Sequence, residues 1–172
     1  MLREHAFDSV MERRLFSLAL RSAAERPDLD LPAGNFVCLL AWDAREASAE
    51  TISALVEPLL AAGASYFVCW GPECERVHDV IDGMLAASRN EFGIPDDSCI
   101  MTTWHDSEPL REALQYFLAC SMPDEYYINS TSAGLAVSIG SSSWAAEIAA
   151  ALEHPRELIQ RSSENGGLKG EP

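Results

Sequence analysis

The chain has 172 residues, 48% of them hydrophobic, enough for one domain with a real core and short for two. Its apolar runs are brief and broken by polar residues, far below the ~20 that cross a bilayer, so no membrane association is expected. With 27 acidic against 12 basic residues the net charge is −15, a field that repels nucleic acid and anionic lipid and attracts a basic protein.

The first predicted element is an amphipathic helix from Phe7 to Ala24, where Phe7, Val10, Met11, Leu15, Leu18 and Ala19 recur at helical spacing. Arg26 to Gly34, with two prolines and a glycine, reads as the loop that joins this helix to the main fold. Phe36–Ala41 is a continuous apolar run of the kind buried on both faces of a parallel sheet. Ser48 can cap the helix that follows, with Ile52, Leu55, Val56, Leu59 and Leu60 on one face, Gly63 at its end and a kink expected at Pro58.

The strand–helix unit then repeats. Tyr66–Cys69 is a strand, Gly71-Pro72 opens a helix, and Val77, Val80, Ile81, Met84 and Leu85 form its stripe. After a loop from Asn90 to Asp97, Cys99–Thr103 is a strand, Ser107 the cap, and Leu110, Ala113, Leu114, Phe117 and Leu118 the next stripe. Between Tyr126 and Ile139 a hairpin competes with one strand after a turn, and Leu135–Ile139 is favoured as the sheet strand. Trp144, Ile148, Ala151 and Leu152 mark a final helix that stops before Pro155, followed by one more turn near Arg156 to Arg161. The expected organisation is an N-terminal helix and linker over 1–30, an α/β domain over 31–161 and a flexible tail over 162–172. Three alternations of strand and helix imply a three-layer, flavodoxin-like or Rossmann-like domain with a mainly parallel sheet of four to five strands.

Every tryptophan sits where an apolar run meets a turn. If the runs are parallel strands, Trp42, Trp70, Trp104 and Trp144 gather at the carboxyl rim, where open α/β folds place ligands. The same rim collects Asp43, Arg45, Cys74, His105, Asp106, Ser141, Ser142 and Ser143. The serine cluster opens a helix, whose free N–H groups suit a small anionic ligand and equally suit ordinary capping. An indole at a strand end serves as well for packing as for a pocket wall. His105-Asp106 invites a general base with an orienting carboxylate, although adjacent residues seldom face each other. Cys74 and His78, one helical turn apart, form a candidate nucleophile and base, opposed by Glu73 and Glu75.

None of these sets is a complete catalytic constellation, and the reading is no catalytic residue, no metal and no cofactor. Cys74, His78 and His105 lack a further zinc ligand at recognisable spacing. Four residues separate Cys69 from Cys74, so the redox Cys-x-x-Cys motif is absent. No Gly-x-Gly-x-x-Gly follows the first strand, and the single lysine, Lys169, leaves no phosphate-loop or Schiff-base lysine in the body of the chain. Five cysteines, three in apolar runs, fit a reducing compartment, and no secretory signal opens the chain, so the cytoplasm is expected.

The acid excess is concentrated between Asp43 and Glu125, where 16 acids meet only Arg45, Arg76, Arg89 and Arg111. Such a surface also serves solubility. The functional expectation is a small acidic binding protein that engages a basic protein, as an immunity or antitoxin-type inhibitor would. The alternative is a nucleotide-type sensor or hydrolase that uses the Trp-lined rim.

Overall fold

The computed structural model describes residues 1–26, 29–31 and 34–165, with the backbone alone over 161–165. The chain forms β1 (Leu2–Asp8), β2 (Arg13–Leu20), β3 (Asn35–Trp42), α1 (Ala49–Ala61), β4 (Ala64–Trp70) and α2 (Cys74–Ser88). It continues as β5 (Met101–His105), α3 (Leu110–Ala119), α4 (Glu125–Ile128), β6 (Thr131–Ile139), α5 (Ser142–Glu153) and α6 (Pro155–Asn165). The six strands make one sheet in the order β1-β2-β6-β3-β4-β5. β1 is antiparallel to β2, and the other neighbouring pairs are parallel.

The α/β class and the mainly parallel sheet are as the alternation implied, with six strands in place of four to five. The middle strands are apolar on both faces because helices cover both. Ile52, Leu55, Val56 and Leu59 of α1 and Val77 and Ile81 of α2 pack with Phe36, Cys38, Leu40 and Phe67. On the opposite face Leu114 and Phe117 of α3, Ile148 and Leu152 of α5 and Leu158 of α6 pack with Val37, Leu39 and Val68. Among the described residues no helix is long and apolar enough to cross a membrane.

The N-terminal helix is corrected: Phe7 to Ala24 holds the end of β1, a turn and all of β2. The helical spacing arose because the stripe straddles that turn, and Phe7 and Val10 are in fact exposed. Asp8 Oδ1 accepts from the Val10 N–H at 2.9 Å, and Glu12 takes a left-handed φ of 54° to turn the chain. β2 carries its own period of two, with Phe16, Leu18 and Leu20 on the α1–α2 face and Leu15 on the other. The hairpin is anchored by Arg13, 3% exposed, which donates to Ser121 Oγ at 3.2 Å and to the Ser121 carbonyl at 2.8 Å. β2 thus lies inside the sheet, between β1 and β6.

Smaller differences follow local chemistry. Strand β5 sits two residues later than expected, so Trp104 and His105 lie within it. Helix α2 opens at Cys74 after Glu73 in a left-handed conformation, not at Gly71-Pro72, and α3 is preceded by Pro109, not capped by Ser107. Pro58 is accommodated inside α1, which runs on to Ala61. Tyr126–Ile128 falls in the short α4, and β6 is a single strand that begins four residues before Leu135. Helix α6 reaches Asn165; the rest of the expected tail, and part of the Arg26–Gly34 loop, lie outside the described residues.

Candidate functional site

All five parallel strands deliver their carboxyl ends to one rim, which makes the rim expectation testable residue by residue. From β3 the chain crosses to α1 on one face, whereas from β6, its neighbour, it crosses to α5 on the other. The two connections diverge and leave an open cleft of about 920 Å³, with Trp42, Asp43 and Arg45 on one wall and Gly140, Ser141 and Trp144 on the other. This is a topological switch point, the place where open sheets accommodate ligands.

The cleft loop is held from below. Gly71, at φ 111°, sits so close to the Trp42 carbonyl that a Cβ would collide with it. The Ala44 N–H donates to Pro72 O at 3.0 Å, and Arg76 donates to the carbonyls of Ala47, at 2.8 Å, and Ala44. Arg45 forms a two-pronged ion pair with Asp43 at 2.9 and 2.6 Å, which holds the Asp43 carboxyl below the usual range. Ser141 accepts from the Trp144 N–H at 3.3 Å and lies 3.0 Å from the Ser143 hydroxyl, so the serine cluster acts as a cap here. Ser142 begins the helix and is exposed.

The four indoles do not share one pocket. Trp42 is buried, while Trp70 and Trp144 meet edge to face at 5.0 Å, with the Trp70 N–H donating to Glu108 O at 2.8 Å. Trp104 lies on β5 at the far edge, three strands from β6, roughly 14 Å at the usual strand spacing. It faces α2, is 45% exposed, and packs on His78 with ring centroids 4.6 Å apart and the rings tilted by 59°.

Around Trp104 a second surface forms, between α2 and β5. Glu75, His78, Asp79 and Asp82 fall at i, i+3, i+4 and i+7 on α2, one stripe of a helix. His78 Nδ1 lies 3.0 Å from Asp79 Oδ1 and Nε2 lies 3.5 Å from Asp82 Oδ2, while Thr102 donates to Asp82 Oδ1 at 2.6 Å. The spacing of this stripe was legible, but its neighbour on β5 was not. From Asp43 to Asp106 the chain carries 12 acids against Arg45, Arg76 and Arg89. Each of those arginines is already engaged by its own chain, Arg45 by Asp43, Arg76 by Ala44, Ala47 and Glu73, and Arg89 by the carbonyls of Pro95 and Ser98. The carboxylates of the α2 stripe are exposed, and among the described residues none of these arginines is paired with them, although Arg89 lines the same groove as Asp82.

The catalytic candidates come apart. His105 is buried against Tyr116 with centroids 4.6 Å apart, and its Nδ1 lies 2.9 Å from Glu108 Oε2, so its carboxylate partner is Glu108 and not Asp106. Asp106 accepts instead from the Ser107 hydroxyl at 3.1 Å. Cys74 is 2% exposed, and burial pushes its thiol up, the reverse of what a nucleophile needs. Among the described residues no group of three or more acidic, His or Cys side chains is placed to hold a metal ion.

One family model matches the chain over residues 16–155, from β2 to the start of α6, so that the cleft and the Trp104 surface both fall within it. Its description is Domain of unknown function (DUF7684). No curated protein and no solved structure matches the chain.

Proposed function

The chain belongs to the family described as Domain of unknown function (DUF7684), and we propose that this member is a non-enzymatic binding protein that engages a basic protein, as an immunity or antitoxin-type inhibitor does. The observation that carries the reading is the α2–β5 surface: an indole 45% exposed, seated on His78 beside Asp79 and Asp82. Trp is the residue most enriched at binding hot spots, and its face attracts Lys or Arg. Surrounding carboxylates steer such a partner and select against acidic ones. Five free thiols, three of them buried, suit a reducing, cytoplasmic setting for the complex.

The test is capture from native lysate at low and high salt, comparing wild type with Trp104→Ala and with Asp79→Asn/Asp82→Asn. The reading expects a basic protein recovered by wild type at low salt, released by high salt, and lost from both variants. Recovery of the same protein by all three chains would remove this surface from the account.

A second reading has its own support, the coincidence of a cleft of about 920 Å³ with the switch point. Counted from β3, the order β5-β4-β3-β6 corresponds to the 3-2-1-4 order of a Rossmann-like sheet rather than to the flavodoxin order. On this reading a small anionic ligand lies between Arg45 and the start of α5. Native mass spectrometry of the purified chain decides it: a retained nucleotide-sized mass that Arg45→Ala abolishes would favour the cleft, and a bare chain would not.

A further inference from the structure

The two edges of the sheet are built differently. β1 is broken by a register shift between Glu4 and Phe7, and it carries Arg3 and His5, bonded to Glu153 of α5 at 2.7 and 3.1 Å, and Glu4, paired with Arg14. Bulges and charged side chains are the means by which edges resist further pairing. β5 has none of them. Its sequence, Met101-Thr-Thr-Trp-His105, holds no proline, glycine, lysine or acid, and its register with β4 is regular from Tyr66↔Met101 to Trp70↔His105. Among the described residues no other strand and no loop backbone bonds to its outer side. Met101 and Trp104 are 38% and 45% exposed along it, and an open groove of about 460 Å³ runs between β5 and α2, past His78, Asp82 and Met101.

We propose that β5 receives an extended, basic segment of the partner protein as a seventh strand of the sheet. The inference rests on the reading of the α2–β5 surface as the site of a basic partner, and it adds the manner of binding. An added strand satisfies the outer N–H and C=O groups of β5 and places every second side chain on each face. On the α2 face those side chains arrive beside Thr102 and Trp104, within reach of Asp79 and Asp82. There a lysine or arginine gains both a carboxylate and an indole face. On the opposite face they arrive beside Thr103 and His105, neither of them an acid, where β-branched neutral side chains fit the pleat. The charge of the segment and the alternation of its residues are thus specified together.

The probe is a synthetic octapeptide alternating lysine with valine, measured against two versions, N-methylated either at the lysine amides or at the valine amides. Only one set of amides can face β5. The expected result is tight binding of the parent, loss of about tenfold or more for one methylated version only, and slowed hydrogen exchange at residues 101–105 when the parent is bound. If both methylated versions bind as the parent does, and Asp79→Asn/Asp82→Asn abolishes all three, charge alone holds the peptide. Strand addition is then overturned while the basic-partner reading stands. Binding by none of the peptides at low salt, or binding that Asp79→Asn/Asp82→Asn leaves untouched, overturns both.

Discussion

Trp104 occupies a position that folding alone does not require. A large aromatic ring on an edge strand would be covered by a neighbouring element if packing were its purpose, yet nearly half of it is open. Trp104→Ala is therefore expected to leave thermal stability within about 1 kcal/mol. The same change should weaken partner binding by about 2 kcal/mol or more, the size of a hot-spot truncation. A calorimetric melt beside a binding titration checks both halves. Buried cysteines give a second residue-level expectation. Burial pushes the Cys38 and Cys69 thiols up from their ordinary value, so both stay protonated in the folded chain well beyond the point, near pH 8.5, where an unfolded thiol ionises. Above that pH the folded state holds more protons than the unfolded one. Stability is then fully present below about pH 8.5 and falls as pH rises, by roughly 1.4 kcal/mol per unit for each thiol. Urea midpoints from about pH 8 to about pH 10 should slope downward, and Cys38→Ala/Cys69→Ala should flatten the slope. An unchanged slope in that variant would show that other groups carry it.

At the scale of elements, the β3–α1 loop is a dependent structure. Gly71 leaves room for the Trp42 carbonyl, and Arg76 ties Ala44 and Ala47 to the start of α2, so the cleft wall takes its shape from the β4–α2 connection. Gly71→Ala combines a left-handed backbone with a collision, and a loss of about 2 kcal/mol or more in chemical denaturation is expected. A midpoint equal to wild type would mean that the loop yields freely. The strand–helix units of β3 and β4 were legible in the sequence because their apolar runs are buried on both faces and their helices carry complete stripes, whereas the edge strand β5 was legible mainly through the stripe of α3 that follows it. The N-terminal hairpin was not: Phe7, Val10 and Met11 imitate a helical stripe only by spanning a turn, and the period of two in Phe16, Leu18 and Leu20 lies inside that imitation. The tryptophan rim was half legible. The ends of β3 and β4 could be placed to within a residue, but β5 runs two residues beyond its expected end, and an apolar run by itself does not say to which face each indole turns. Trp104 turns to α2 while Trp70 turns to Trp144. The Glu75-His78-Asp79-Asp82 stripe has the same helical period as the apolar stripes, but a charged stripe reads equally as an ordinary solvated face.

Over the whole molecule, the net charge of −15 acts through its distribution. Arg45, Arg76 and Arg89 are engaged by the chain's own oxygens, leaving the helix α2 side of the sheet acidic around one exposed indole. Further along the rim, between the ends of β3 and β6, the switch-point cleft offers a different kind of site, for a small anionic molecule. The two lie on separate strands and give separate footprints. The most direct measurement is the hydrogen-exchange footprint of the captured partner on the full chain. The account predicts slowed exchange over residues 75–82 and 101–105, diminishing as salt is raised, with the cleft segments 43–47 and 140–144 unchanged. Protection confined to the cleft segments, with α2 and β5 exchanging as in the free chain, would contradict it.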